Sequence, residues 1–565
     1  MARTISIGNQ DFSKIRERNY FYVDKTGFIK EWWESGNEVT LIARPRRFGK
    51  TLNMSMLEQF FSLKYANRED LFEGLFIWQE EEYRKLQGTW PVIALSFARV
   101  KERDYTNARQ KLCEILRNIY IKYSFLKDSN VLTDADRAFF DRILDEHTSD
   151  SDMTSSLYQL SDYLQRYYHK KVIILLDEYD TPMQEAWLGG FWEDIVSFMR
   201  TLFNSTFKTN PYLEKAVMTG ITRISRESIF SDMNNLKVVT ATSREYAAAF
   251  GFTEEEVFAA LEECDLGEKK DRVKKWYDGF TFGECTDIYN PWSIINFLDT
   301  GRLDTYWANT SSNGLVSKLI REGDRKTKES FEALLEGKRI RCVIDEQIVY
   351  SRLIGSEEEI WSLLLASGYL KVVSCGEQYE EGSDQKIPYE LTLTNHEVRL
   401  MFQDMVRSWF KAVPTDYNDF IKALLLHDLD AMNEYMNEIA CELFSSFDTG
   451  KRASEKAKPE RFYHGFVLGL MVDMREDYII TSNRESGFGR YDVTLEPRDK
   501  NRAAFILEFK VHNPRREKSL EETVEAALSQ IREKKYAVDL IRRGIAQENI
   551  YSYGLAFKGK EVLIG

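Results

Sequence analysis

The first 250 residues alternate short apolar runs with amphipathic stretches. Glu38 to Ala43, Val92 to Phe97, Lys171 to Leu176 and Tyr212 to Met218 read as strands. Lys171 to Leu176 is charged only at its start and apolar thereafter, which suits a central strand covered on both faces. Between the strands, Thr51 to Phe61 reads as a helix. A second helix near Ala108 to Tyr123 stacks Ala108, Leu112, Ile115 and Ile119 on one face, and a third carries Leu157, Leu160, Leu164 and Tyr168. Strands alternating with helices predict a parallel sheet with right-handed crossovers.

Past Gly251 the pattern changes. Thr253-Glu-Glu-Glu256 before Val257 is a capping box that starts a helix, and the chain stays helix-rich and charged to about Trp361. Glu357 to Ala366, Tyr369 to Cys375 and Pro388 to Thr394 predict a helix followed by a β-hairpin, as in a winged-helix-like module or an α+β connector. The last 150 or so residues begin with helices and turn to strands near Tyr478. The organisation expected is α/β in three parts: a P-loop-type parallel sheet (1–250), a helical and winged-helix-like middle (251–410), and a C-terminal α/β domain (411–565).

Composition narrows the class. In 565 residues, 43% are hydrophobic and 30% charged, enough apolar material for large cores and too much for a disordered chain. At about 150 residues per domain the length suits three or four domains. No apolar run reaches the ~18 residues of a membrane span, and no secretion signal opens the chain. Six scattered cysteines form no CxxC pair, so a reducing cytosol is the expected setting. The net charge of −14 argues against non-specific nucleic-acid binding over the whole surface, yet leaves room for a local basic groove.

Two stretches carry candidate chemistry. Arg44-Pro-Arg46-Arg47-Phe48-Gly49-Lys50-Thr51 lies between a strand and a helix and closes like GxxxxGK[ST], with Arg44 where the first glycine belongs. Backbone N–H groups at a helix start cradle phosphates. Lys50 would reach the β/γ-phosphates, Thr51 would hold Mg²⁺, and Arg46 and Arg47 add positive charge. Asp177 at the tip of the buried strand would hold the Mg²⁺ water shell, and Glu178 would polarise the attacking water. Thr219 would sense the γ-phosphate and Arg223 would stabilise transition-state charge.

The second stretch is Phe505-Ile-Leu-Glu508-Phe-Lys510-Val511, with strict period-two alternation. Glu508 and Lys510 project from the face opposite Phe505, Leu507, Phe509 and Val511. Asp492 lies on the preceding strand, off its apolar face, and the turn 496–501 brings it back toward Glu508. Two carboxylates hold a hard divalent cation such as Mg²⁺, and the metal activates water against a phosphodiester while the lysine orients it. Glu460, before the expected helix Phe462 to Met471, adds a carboxylate. Gln530 sits on a helix striped by Leu520, Val524, Ala527 and Ile531. Arg498, Lys500, Arg502, Arg515, Arg516 and Lys518 flank the site, diluted by Glu517, Glu521 and Glu522.

Tyr22-Val-Asp24-Lys25-Thr26, the Arg44 to Thr51 loop, Leu176-Asp-Glu-Tyr-Asp180, Tyr277-Asp-Gly-Phe280 and Tyr289-Asn-Pro-Trp292 together resemble the bacterial AAA-ATPase-like family, over nearly the whole chain. The resemblance implies an ATP-binding core with a helical extension. Glu460, Asp492, Glu508-x-Lys510 and Gln530 resemble the PD-(D/E)XK nuclease pattern, which implies a restriction-endonuclease-like domain. ATP and Mg²⁺ are the cofactors expected, and nucleic acid, DNA above RNA, is the partner expected, with a protein partner or a second copy left open. Three readings stand: an ATPase that controls phosphodiester cleavage, a nucleotide-gated binding module that does not cut, and a nuclease beside a vestigial ATPase.

Overall fold

The computed structural model describes residues 3–223, 229–230, 233–307, 314–322, 325–345, 353, 356–375, 388–411, 419–443, 467, 471, 474, 477–483, 492–534, 536–558 and 561–565. Two compact units form: residues 1–323 with 334–401, and residues 324–333 with 402–565. Among the described residues, no helix is long and apolar enough to cross a membrane.

In the first unit, β1 (Val39–Ala43), β2 (Val92–Ser96), β3 (Val172–Asp177), β4 (Leu213–Gly220) and β5 (Leu236–Val239) form one sheet in the order β2-β3-β4-β1-β5. Every neighbouring pair is parallel. All six residues of β3 and all five of β1 are buried, as apolar runs covered on both faces require. The helices sit where periodicity places them, at Lys50–Phe61, Tyr105–Lys122 and Asp150–Tyr168. Ile115 is only half-buried, and Leu116 and Cys113 take its place in the core. β4 lies between β1 and β3, so its tip separates the phosphate loop from the acidic strand end.

The capping box at Thr253 forms as expected. Its hydroxyl accepts from Glu256 N, Glu256 accepts from Thr253 N, and the helix Glu254–Glu263 follows. Next comes a three-stranded sheet that periodicity did not reveal: β6 (Phe252–Thr253), β7 (Asp278–Phe282) and β8 (Cys285–Tyr289), in the order β6-β8-β7. Its strands are short and β7–β8 is irregular in register, so no clean alternation marks it. The first unit continues with helix Gly314–Glu322, β9 (Ile340–Val343), helix Glu357–Ala366, β10 (Leu370–Cys375) and β11 (Pro388–Leu393), with sheet order β10-β11-β9, while residues 324–333, in the helix Arg325–Leu335, belong to the second unit. The expected helix and β-hairpin form, with β9 as a third strand beside them. The helix Glu357–Ala366 is acidic in its first turn and buried from Glu359 through Leu365.

Asp278, in the middle of this region, is pushed up to about 6, chiefly by burial and then by the neighbouring carboxylate of Asp287. A carboxyl raised on folding contributes stability that is complete below its ordinary pKa of about 4 and is lost as pH rises through about 6. Asp278→Asn keeps the shape without the charge. It is expected to raise the apparent melting temperature by about 2 °C at pH 8, roughly 1 kcal/mol after solvent screening, and to have no effect near pH 4. Thermal melts of both proteins across that range decide it; an equal difference at both ends contradicts the assignment.

The second unit holds a sheet in sequential order, β12 (Tyr478–Asn483), β13 (Asp492–Pro497), β14 (Ala504–Val511), β15 (Ile550–Lys558) and β16 (Glu561–Ile564). Only β14–β15 is parallel, and the helix Leu520–Lys534 makes that crossover. Phe505, Leu507 and Phe509 pack into one core with residues of the helices Asp419–Leu425 and Leu429–Leu443, including Leu424, Met432 and Met436. Ala504 and Ile506 pack on the other face, against Ile531, Leu540 and Ile545. Both faces of β14 are thus covered, and its residues from Ala504 to Phe509 are all buried.

Candidate functional site: a phosphate loop and a carboxylate strand

The ends of β1, β3 and β4 converge because their register is parallel: Ala43 lies beside Gly220, and Leu176 beside Met218. Ligands in open α/β sheets bind in the crevice beyond such carboxyl ends. The loop after β1 enters the helix Lys50–Phe61 through Gly49, at φ 81°. A side chain there would cost about 1–2 kcal/mol in the left-handed region. Arg47 is also left-handed, at φ 67°. Such turns point successive backbone N–H groups into one concavity, which binds anions.

Lys50 is buried, and its ammonium donates to the carbonyls of Arg44 at 3.0 Å and Pro45 at 2.9 Å. An ammonium has three donors, so one is left for a phosphate oxygen. The Thr51 hydroxyl donates to one oxygen of Asp177 at 2.7 Å, and the Thr219 hydroxyl donates to the other. With its proton committed to Asp177, the Thr51 oxygen keeps its lone pairs for a hard cation. Asp177 therefore ties together β3, the phosphate-loop helix and the tip of β4. Burial raises its pKa above the usual range, opposed by the Thr219 and Thr51 hydrogen bonds and by Lys50. This donor set fits a Mg²⁺–nucleoside triphosphate, with the loop N–H groups and Lys50 on the phosphates and Thr51 and Asp177 at the metal.

Glu178 follows at φ 54°, a conformation that a non-glycine residue holds under strain, and its carboxylate accepts from the Thr181 hydroxyl at 3.1 Å. Asp180, given no role by the sequence reading, is fully buried. One of its oxygens accepts from Ile221 N, Thr222 N, the Thr222 hydroxyl and Gln184. It fixes the backbone just after Thr219, and the acid in Leu176-Asp-Glu-Tyr-Asp180 was its visible signal.

Arg44 stands where the first glycine of the pattern belongs. It is buried, donates to the carbonyls of Ala43, Thr240 and Glu245, and lies 4.4 Å from the Phe282 ring centroid. The Phe48 side chain packs against Phe280 and Phe282 at 4.7 and 5.5 Å, so this residue has only its backbone to offer a nucleotide. The Arg47 guanidinium stacks on Trp292 at 4.3 Å, and Arg46 reaches Gln184 at 3.5 Å. Arg223 lines a cavity with Phe230, Met233, Asn234, Leu236 and Val238; among the described residues, no contact joins it to Lys50, Thr51 or Asp177.

In the second unit, Asp492 and Glu508 are direct cross-strand partners on β13 and β14. Opposed residues share a sheet face, with Cα atoms about 4.5–5.5 Å apart. Glu508 is buried and Lys510 half-buried on that face. Alongside Glu508 on β15 stands Gly554, where a Cβ would come within 2.8 Å of the Val524 carbonyl. The missing side chain lets the helix Leu520–Lys534 lie close over Glu508. That helix anchors at Thr523, whose hydroxyl meets His512 Nδ1 at 3.0 Å and donates to Glu517 at 2.8 Å. Seven residues on, about 10 Å down the helix axis, Gln530 is carried back toward the level of Glu508, and its side-chain Nε2 is buried with no hydrogen-bond partner among the described residues.

A cross-strand Asp–Glu register pair with a lysine two residues on is a sequence pattern that suits a hard cation and a phosphodiester. Glu460 lies outside the described residues, and only the backbone of Asp492 is described. Among the described residues no group of three His, Cys, Asp or Glu side chains gathers as a metal cluster. The flanking charges also divide. Lys500 and Arg543 pair with Glu496, and Arg502 pairs with Asp477. Glu517 turns inward to Asn513 N and Thr523, so it dilutes the exposed Arg515, Arg516 and Lys518 less than its place in the sequence suggests.

Comparison with known proteins agrees with this division. Residues 6–230 match the AAA-ATPase-like family, described as predicted AAA-ATPases, and residues 458–565 match the PD-(D/E)XK nuclease superfamily. An uncharacterized protein from the vnfD 5′ region of Azotobacter chroococcum mcd 1 is 26% identical over 98% of this chain and 96% of its own. Among solved structures, the Aeropyrum pernix ORC2 protein (ADPNP-ADP complexes) covers 71% of this chain and 96% of its own at 8% identity, with a TM-score of 0.24, too low to support an argument. One polypeptide thus carries an AAA-ATPase-like domain at its N-terminus and a PD-(D/E)XK nuclease superfamily domain at its C-terminus.

Proposed function

We propose that the protein is a Mg²⁺-dependent ATPase that controls metal-dependent phosphodiester cleavage of nucleic acid, DNA above RNA, in defence or DNA processing. The observation that carries the reading is the convergence of Lys50, Thr51, Asp177 and Thr219 at three strand ends. The pairing of Asp492 with Glu508 beside Lys510 supports the cleavage half. Glu178 polarises the attacking water for ATP, and Asp492, Glu508, Lys510 and Gln530 serve the phosphodiester. On this reading the ATPase part ends near residue 250 and the nuclease part begins near 411. The buried helix Glu357–Ala366 of the winged-helix-like segment leaves little surface for reading bases, so nucleic acid is assigned to the C-terminal part. The free thiols of Cys113, Cys264 and Cys285 fit a reducing bacterial cytosol.

The test is nucleotide turnover by the full chain with Mg²⁺, with and without DNA, while labelled DNA is followed for products. Turnover that responds to DNA, with products that depend on nucleotide, is the expected result. DNA binding without products leaves the nucleotide-gated binding module as the better account.

A further inference from the structure

The phosphate loop lacks its first glycine, and the residues that replace that freedom come from a distant part of the same unit. Trp307 Nε1 donates to the carbonyl of Arg46 at 3.1 Å, and the Asn290 side-chain amide approaches the same oxygen at 3.4 Å. Neither orientation is accidental. The Asn290 Oδ1 is occupied as a helix cap, accepting from Trp292 N and Ser293 N, which turns its NH₂ toward Arg46. Trp307 is fixed by Glu397, a buried carboxylate that accepts from Trp307 N at 2.6 Å and from the Ser293 hydroxyl at 2.8 Å. Next to this grip, Arg47 stacks on Trp292. The turn into β10 presses on the loop as well: a Cβ on Gly368 would lie 2.7 Å from the Pro45 ring.

A trans peptide is planar, so a carbonyl and the N–H of the next residue point in opposite directions. Holding the Arg46 oxygen outward therefore turns the Arg47 N–H inward, toward the concavity that opens on Lys50. The geometry points to Trp307 and Asn290 as positioning residues of the phosphate cradle: they aim the Arg47 N–H at the phosphate chain of a nucleoside di- or triphosphate. This inference rests on the phosphate loop binding such a nucleotide. It gives the middle part of the chain (251–410) a use in shaping the ATP site from outside. It also gives the rigid Arg44-Pro45 start a rationale, since the loop is held by partners and does not need glycine freedom.

Two variants separate this role from packing. Trp307→Phe keeps the aromatic body and removes only the N–H. Asn290→Asp keeps the helix cap, for which Asp serves as well as Asn, and replaces the donor with an oxygen facing the Arg46 oxygen. Affinities of the full chain for Mg²⁺–ATP, Mg²⁺–ADP and adenosine are to be measured by calorimetry. Both variants are expected to bind ATP and ADP about tenfold more weakly, as for loss of one charge-assisted hydrogen bond, with adenosine and the melting temperature unchanged. Wild-type affinity for ATP and ADP in both variants overturns the inference. Wild-type ATP affinity in Lys50→Ala would instead remove the phosphate-loop reading beneath it. If Trp307→Phe does not fold, Asn290→Asp alone decides, with its loss required to persist at 0.5 M salt.

Discussion

Lys50→Ala is expected to lower the proposed Mg²⁺–ATP turnover by about 10²–10³-fold, the range for removing one preorganised charge from a water-poor site. The Lys50 ammonium is buried against the Arg44 and Pro45 carbonyls, so it is already aimed before a nucleotide arrives. The substitution leaves those two carbonyls without their donor, so the variant is also destabilised, and its fold is to be checked by circular dichroism. Phosphate release per mole of folded protein is the measurement. Turnover within twofold of wild type would show that the loop does not serve a nucleotide. The pH profile adds a signature: because burial raises the Asp177 pKa, activity falls on acidification at a higher pH than an ordinary aspartate would give.

Glu508→Gln is expected to lower the proposed metal-dependent cleavage by about 10³-fold and to leave ATP turnover intact. Glu508 is 1% exposed and stands opposite Asp492 in register, so on the proposed reading the substitution removes one of the two acidic residues assigned to the metal. The amide has the same shape and a smaller desolvation penalty, so the sheet keeps its register and loss of folding does not confuse the result. Cleavage of labelled DNA in Mg²⁺ or Mn²⁺ is the readout, with Mg²⁺ affinity measured alongside. Products at the wild-type rate would remove Glu508 from the site.

Both candidate sites are legible in part along the chain. The order of apolar residues placed β1, β3 and β14, because a strand buried on two faces is an unbroken apolar run and a strand with a polar site residue keeps its alternation. Gly49-Lys50-Thr51 and Asp177 were readable since each follows such a strand directly. Short β7 and β8 were not readable, for their pairing is irregular and their packing is made with distant residues.

Asn290 and Trp307 show the limit most clearly. Asn290-Pro291 marks a helix start in any sequence, yet nothing local says that its amide faces Arg46, 244 positions earlier. The linear order of residues determined which strands, helices and acid- or phosphate-handling groups exist, because those depend on neighbours along the chain. Only the tertiary structure decided which groups meet, turning Arg44 and Phe48 into packing and Trp307 into a support for the loop, because hydrogen bonds and burial depend on distance in space.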